Sequence, residues 1–138
     1  MLADLDPLTL YRILRLRAEV FVVEQDCAYL DMDGRDAEPT ARQLWIAEGE
    51  EILATLRLLQ DSDGALRIGR VATAVRARGR GLAAELMNRA LELAGPAETV
   101  LEAQSYLTEW YGRFGFKVSG PDYVEDGIPH TPMYRGAG

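Results

Sequence analysis

Arg76-Ala77-Arg78-Gly79-Arg80-Gly81 places three guanidinium groups and two glycines immediately before the apolar stripe of a helix. Free backbone N–H groups and the positive end of the helix dipole make such a junction an anion site. Glycine at 79 and 81 lets the main chain close on a diphosphate with no side chain in the way, while arginines reach its outer oxygens. The expected ligand is a polyphosphate, and two or three charge-assisted contacts of about 1.5–3 kcal/mol each suffice to anchor it. The plain alternative is a solvated basic turn capping a helix. Charge contrast favours the anion: from Arg67 to Arg89 six arginines face one acid, Glu85, so that segment carries +5 and the rest of the chain −12, summing to −7.

Two phosphate motifs are weighed and set aside. A P-loop needs Lys followed by Ser or Thr after its last glycine, where this chain has Leu82 and Ala83. A dinucleotide fingerprint comes closer, since Gly79, Gly81 and Ala84 fit G-x-G-x-x-A and Glu102 follows about 20 residues on. Its first glycine should follow the strand directly, but Ala74 to Arg78 intervene, and only one βαβ unit is available for a cofactor that needs two.

The elements that must position these groups follow from periodicity. Asp6-Pro7 signals an N-cap and first turn, and Leu8, Tyr11, Leu14 and Ala18 recur at helical spacing, predicting a helix to about Phe21. The acidic stretch to Pro39 is a loop with room for a short helix. Leu44 to Ala47 and Ile52 to Leu59 flank the Glu48-Gly49-Glu50 turn as a hairpin, and Asp61-Ser62-Asp63-Gly64 turns into a strand from Leu66 to Thr73. Leu82, Leu86, Ala90 and Leu93, beside Ala83, Met87 and Ala94, make an amphipathic helix stopped by Gly95-Pro96. Thr99 to Gln104 is a strand, Ser105 caps a short helix from about Leu107 to Phe114, and Phe116 to Ser119 and Thr131 to Arg135 are the last strands. This order predicts an α/β mixed sheet with one parallel crossover around the arginine-loop helix.

With 138 residues, 48% hydrophobic and 27% charged, the chain is expected to form one globular domain over residues 1–138. Cys27 is the only cysteine, which rules out an intrachain disulfide and fits a cytoplasmic, reducing setting. Asp4 and Asp6 stand where a secretory signal carries bases, and no stretch nears the roughly 20 apolar residues of a membrane span, so no membrane partner is expected. The excess of 22 acids over 15 bases argues against nucleic acid and favours a cationic or neutral small partner. The acidic run Glu24, Asp26, Asp31, Asp33, Asp36 and Glu38, against Arg35 alone, offers a seat for a cation. One His and one Cys provide no metal-ligand pair.

Arg76, Gly79 and Gly81 form R-x-x-G-x-G, and Tyr111 with Gly115 and Phe116 forms Y-x-x-x-G-F. The pair, at this separation, resembles the GNAT N-acetyltransferases. The flanks Val20-Phe21-Val22-Val23-Glu24-Gln25, then Cys27, Asp31, Asp33 and Gly34, and Glu125-Asp126-Gly127-Ile128-Pro129-His130 are similar to the ElaA-like branch. The resemblance implies a GNAT-like fold with a largely antiparallel sheet and a splayed parallel strand pair. It implies acetyl-CoA as acetyl donor, with Val71, Ala72 and Thr73 pairing with the pantetheine arm and Arg76, Arg78, Gly79, Arg80, Gly81 and Leu82 wrapping the pyrophosphate. It makes Tyr111 the general acid and admits a homodimer. One departure stands out: Gln104 occupies a position where many members carry asparagine. The short N-terminal lead also implies a first strand that is reduced or absent.

The implied reaction is acetyl transfer to a primary amine of a small molecule or peptide. Such an amine, with a pKa near 10.4, is protonated at pH 7, and baring its lone pair costs about 4.6 kcal/mol, so a base or a water relay is needed. The leaving thiolate has a basicity near 8.5, and a phenol within reach donates a proton as the C–S bond breaks. Without the resemblance Tyr111 is simply a core aromatic beside Trp110 and Phe114. Glu24, Asp31, Asp33, Glu102 and His130 are the candidates for base and amine contact, with Gln104 beside them. Glu102 is equally suited to a structural ion pair with Arg70. At Cys27 an acetyl-cysteine relay is disfavoured by Asp26, which raises the thiol pKa, leaving a packed structural thiol. The rival from another class is a binding module that senses acyl-CoA or another polyphosphate without turnover.

Overall fold

In the computed structural model, which describes residues 1–136, helix α1 runs from Pro7 to Ala18. The Asp6 carboxylate caps it by accepting from the Thr9 N–H at 3.1 Å, and Pro7 takes the first helical position, where its missing N–H costs nothing. The helix does not stop near Phe21 as the spacing predicts. It continues from Glu19 to Glu24 as a π-helical segment, a wider winding frequent at functional sites.

Strands β1 (Arg42–Glu48), β2 (Glu51–Gln60) and β3 (Leu66–Thr73) form the expected antiparallel meander, each with limits close to those the apolar runs indicate. β2 is buried over its whole interior because helices cover both faces. Ala54, Leu56 and Leu58 pack with Leu86, Met87 and Ala90 of helix α2 (Leu82–Ala94), while Leu53 packs with Ile13 and Leu16 of α1 and Val20 of the π segment. A strand covered on both sides shows no alternation, which is why Ile52 to Leu59 is nearly continuous apolar sequence.

Strand β4 (Thr99–Gln104) lies parallel to β3 and antiparallel to β7 (Ile128–Arg135), with β5 (Lys117–Val118) and β6 (Tyr123–Glu125) on β7. The order β1-β2-β3-β4-β7-β5 gives a mixed sheet, mostly antiparallel with one parallel pair, the predicted class. The hairpin at β6 was not predicted. Its turn, Asp126-Gly127, has positive φ at both residues, 53° and 77°, the signature of a primed hairpin turn, and it starts the last strand at Ile128, before the expected Thr131.

Helix α3 is shorter than expected, Thr108–Gly112, and follows a 3-10 turn, Ser105–Leu107. Ser105 is not its cap. Thr131 Oγ1 donates to Asp122 at 2.7 Å, so Ser105 donates its own hydroxyl hydrogen to Thr131 at 2.8 Å, tying the end of β4 to β7. Phe116 is core instead of strand, which leaves β5 only Lys117 and Val118.

Two irregularities open the sheet where chemistry was expected. The β3–β4 ladder pairs only Leu66 with Thr99 and Arg67 with Val100 and then parts. Across β2, Thr55 faces Ala72 but Arg57 faces Gly69, so β3 carries one extra residue, a bulge at which Arg70 adopts φ 52°. Beyond the bulge, the edge of β3 that faces β4 has no ladder partner.

Candidate functional site

The parted strands open onto a cavity of about 680 Å³. Val71, Ala72 and Thr73 line it from β3, Glu102 and Gln104 from β4, and Tyr111 from α3. His130 reaches it from β7, Glu24 from the π segment, and Arg78 and Asp33 from the loops. Ten of the sequence-predicted positions therefore face one space, although Glu24 and His130 stand more than a hundred residues apart in the chain. Asp31 stands behind this wall, Gly79, Arg80, Gly81 and Leu82 lie off it on the loop and first turn that Arg78 and Ala83 bracket, and Arg76 lies off it in the turn just before Arg78.

The loop has the conformation its glycines suggested. Gly79 and Gly81 have φ 84° and 75°, and a Cβ at either would meet nothing within 4 Å, so the space a side chain would fill is open. Gly81 is the N-cap of α2 and supplies no side-chain cap, which leaves the first-turn amides of α2 free for an anion. A diphosphate fits this cradle, and the unladdered β3 edge fits an extended amide-bearing chain.

Folding cancels the charge contrast seen along the chain. Arg76 pairs with Glu51, Arg78 with Glu24, Arg80 with Glu48 and Arg89 with Glu92, while Arg67 pairs with Asp61 and Glu102. The acidic run is matched too: Arg17 bonds Asp31 and Asp36, and Arg57 bonds Asp33 and Asp36. Arg17 is wholly buried, a charge the core tolerates only because three carboxylate bonds and the Asp31 carbonyl surround it. Arg57 holds the Asp33 carboxyl far below the ordinary carboxylate range through its hydrogen bonds. Asp31 and Asp33 thus fasten the 27–41 connection to the sheet.

Glu102 pairs with Arg67, not with Arg70. Arg67 Nη1 donates to it at 3.1 Å and the Tyr123 hydroxyl at 3.0 Å. The cause is the bulge, which turns Arg70 toward Asp31 and Asp33 and leaves Arg67 beside β4. Glu24 receives both oxygens' worth of bonding from Arg78 at 2.6 Å, which lowers its pKa and raises that of Arg78. Gln104 donates to Gln25 at 3.3 Å, closing the cavity between β4 and the end of the π segment.

Tyr111 is buried, edge-on to Trp110 and Phe116, and its hydroxyl makes no hydrogen bond among the described residues. Burial pushes its pKa up to about 12. His130 stacks on Tyr123 at 5.7 Å, and its Nδ1 lies 2.8 Å from the Ile128 carbonyl. A carbonyl only accepts, so Nδ1 carries the hydrogen, and in the neutral ring the lone pair is the one on Nε2. Cys27 is buried, its thiol donates to the Asp126 carbonyl at 3.2 Å, and burial raises its pKa, the properties of a structural thiol. The sequence reading missed Tyr29, Leu30, Arg70 and Tyr106 as wall residues. No spacing marks them, because a long connection brings Tyr29 and Leu30 there, a bulge brings Arg70, and the 3-10 turn after β4 brings Tyr106. Among the described residues no group of three metal-ligating side chains occurs, and no helix is long and apolar enough to cross a membrane.

Comparison with known proteins places this geometry. The model of the acetyltransferase (GNAT) domain family matches residues 17–135. The UPF0039 protein Rv2851c of Mycobacterium tuberculosis is 44% identical over 136 residues, 96% of this chain and 87% of that one. Among solved structures, an acyl-CoA N-acyltransferase from Pseudomonas aeruginosa superposes with TM-score 0.93 at 42% identity, covering 98% of this chain and 95% of that one. Escherichia coli ElaA superposes with TM-score 0.91 at 36% identity, covering 97% and 94%. An aminoglycoside 6'-N-acetyltransferase complexed with coenzyme A shares the fold alone, at TM-score 0.67 and 13% identity over 94% and 91% of the two chains.

Proposed function

The chain belongs to the GNAT acetyltransferase family, in its ElaA-like branch, and on that premise we propose that it is an N-acetyltransferase moving an acetyl group from acetyl-CoA to a primary amine by direct attack. Family and fold support N-acyltransferase activity in general; acetyl-CoA, the amine and the residue roles are the proposal. The observation that carries it is that an unladdered β3 edge and the unpartnered Tyr111 hydroxyl share one cavity, with the open glycine cradle on the loop that carries Arg78 to its wall.

When bound, acetyl-CoA supplies an activated thioester. Val71, Ala72 and Thr73 offer it main-chain hydrogen bonds along the parted edge, and Arg76, Arg78, Gly79, Arg80, Gly81 and Leu82 hold its pyrophosphate. Arg78 reaches that position by exchanging Glu24 for phosphate oxygens, since one guanidinium cannot serve both with the same donors. His130 Nε2 removes the amine proton, directly or through water, with Glu24 as the second acceptor once Arg78 has turned away. Glu102 and Gln104 border the amine, and Asp31 and Asp33 hold the wall behind it. Tyr111 keeps its proton at neutral pH because burial disfavours the phenolate, and it gives that proton to the departing thiolate.

The test is thiol release from acetyl-CoA across a panel of small amines, lysine peptides and peptide N-termini. Amine-dependent release above the hydrolytic background supports the proposal, and acetyl-CoA binding without release from any amine supports the sensor reading instead.

A further inference from the structure

Arg70 is one of three described non-glycine residues with positive φ, and the only one inside a strand. Holding such a residue there costs roughly 1–3 kcal/mol, so its surroundings must favour it. Its side chain shows how. Nη2 donates to the Asp31 carbonyl at 3.1 Å and lies 3.5 Å from Asp33 Oδ2. Nε sits 2.7 Å from Asp31 Oδ1 with its N–H turned aside, an ion pair without a hydrogen bond. The guanidinium carbon lies 5.6 Å from the centre of the Tyr29 ring, within cation–π range. Every one of these partners belongs to residues 29–33, a stretch with no helix or strand of its own, from which Tyr29, Leu30 and Asp33 line the cavity.

We propose, resting on the acyl-transfer reading, that Arg70 is a positioning residue that couples the two substrate sites. Its main chain makes the bulge that leaves the Val71–Thr73 edge open to the acyl donor, and its side chain holds residues 29–33 as the acceptor-side wall. Neither of the other two arginines that hold this connection does both. Arg17 and Arg57 are buried and grip the same aspartates from behind, on α1 and β2. Without Arg70, Asp31 keeps Arg17 and Asp33 keeps Arg57, so no carboxylate is left unpaired and the fold survives. A ligand that settles on the β3 edge therefore meets, in this side chain, a direct link from its own strand to the 29–33 wall, and the coupling is reciprocal.

The test uses Arg70→Gly, which adopts φ 52° without strain and so keeps the bulge while removing the tether. Hydrogen exchange of the amides of residues 27–34 is followed with and without coenzyme A. In the wild type, coenzyme A slows exchange there by about fivefold or more. Arg70→Gly binds coenzyme A with affinity within about threefold of the wild type but loses that protection, and Arg70→Lys recovers part of it. Equal protection in Arg70→Gly, or none in a wild type that binds coenzyme A, overturns the coupling. Loss of coenzyme A binding in Arg70→Gly overturns the division between main-chain and side-chain roles. A wild type that fails to bind coenzyme A refutes the acyl-transfer reading itself, and the coupling with it.

Discussion

Glu24 and Arg78, 54 residues apart, meet in a two-pronged ion pair with both contacts at 2.6 Å on the wall of the central cavity. One is the second proton acceptor of the proposed reaction and the other a candidate pyrophosphate contact, so each occupies the other's working groups while the cofactor is absent. An exposed pair of this kind is worth about 0.2–1 kcal/mol, little enough for a diphosphate to displace.

Glu24→Gln should therefore tighten coenzyme A binding, by up to about fivefold, because Arg78 no longer has a carboxylate to leave. Titration calorimetry on the two proteins measures it. Equal or weaker binding by the variant would mean that Arg78 stays with Glu24 in the complex.

Tyr111→Phe removes one oxygen from a buried ring, so packing is conserved. The expected result is a kcat lower by about 10²-fold or more with coenzyme A affinity unchanged, since the phenol acts on the leaving group and not on binding. With the folded-state pKa raised to about 12, the neutral phenol persists from pH 7 to 10, and Tyr111 adds no falling limb to the rate profile there. The same shift contributes stability that is intact below pH 10 and lost as pH rises through 12. An unchanged kcat in the variant removes Tyr111 from the acid role.

Much of this was legible in the chain because it is local. The Asp6-Pro7 cap, the Asp61-Gly64 turn and the α2 stripe are short-range patterns whose physics is complete within a few residues, and all three lie where the spacing puts them. Leu93 marks a limit, since it sits on the predicted stripe but at the exposed margin. What could not be read depends on distance. Arg17 finds Asp31 and Asp36, and Arg70 finds Asp31 and Asp33, only after β3 has bulged and the 27–41 connection has crossed the sheet. An acidic run and a basic run look like two opposed surfaces in sequence, yet in space they meet at Arg70–Asp31 and Arg78–Glu24 and are otherwise matched by charges from elsewhere in the chain. The β6 hairpin is local by the same standard, since Asp126-Gly127 is a strong turn signal, and it lies outside the predicted elements.

Gly81→Val places a branched side chain at φ 75° and fills the open cradle. Stability should fall by about 1–3 kcal/mol from strain alone, and coenzyme A affinity by about tenfold or more from lost access. Gly64→Val, at φ 90° in a hairpin turn away from the cavity, supplies the strain without the site. Equal coenzyme A affinity in both variants would detach the glycine loop from binding.

Asp33 is held in its charged form by Arg57, so its contribution to stability is present above its unfolded pKa, near 4, and fades as pH falls below that value. Urea midpoints between pH 7 and pH 3 should drop for the wild type and drop less steeply for Asp33→Asn, which has no such proton to gain. Parallel curves would show that the acid sensitivity lies elsewhere.

The central claim, that the parted strands and the glycine loop form an acyl-CoA site, is tested most directly by thermal unfolding with acetyl-CoA, coenzyme A, NADH and ATP at equal concentration. A ligand at 100 times its Kd adds about 2.7 kcal/mol, several degrees for a chain of this size. The account predicts that shift with acetyl-CoA and coenzyme A alone. A shift with NADH alone, or none with the two coenzyme A species, would contradict it.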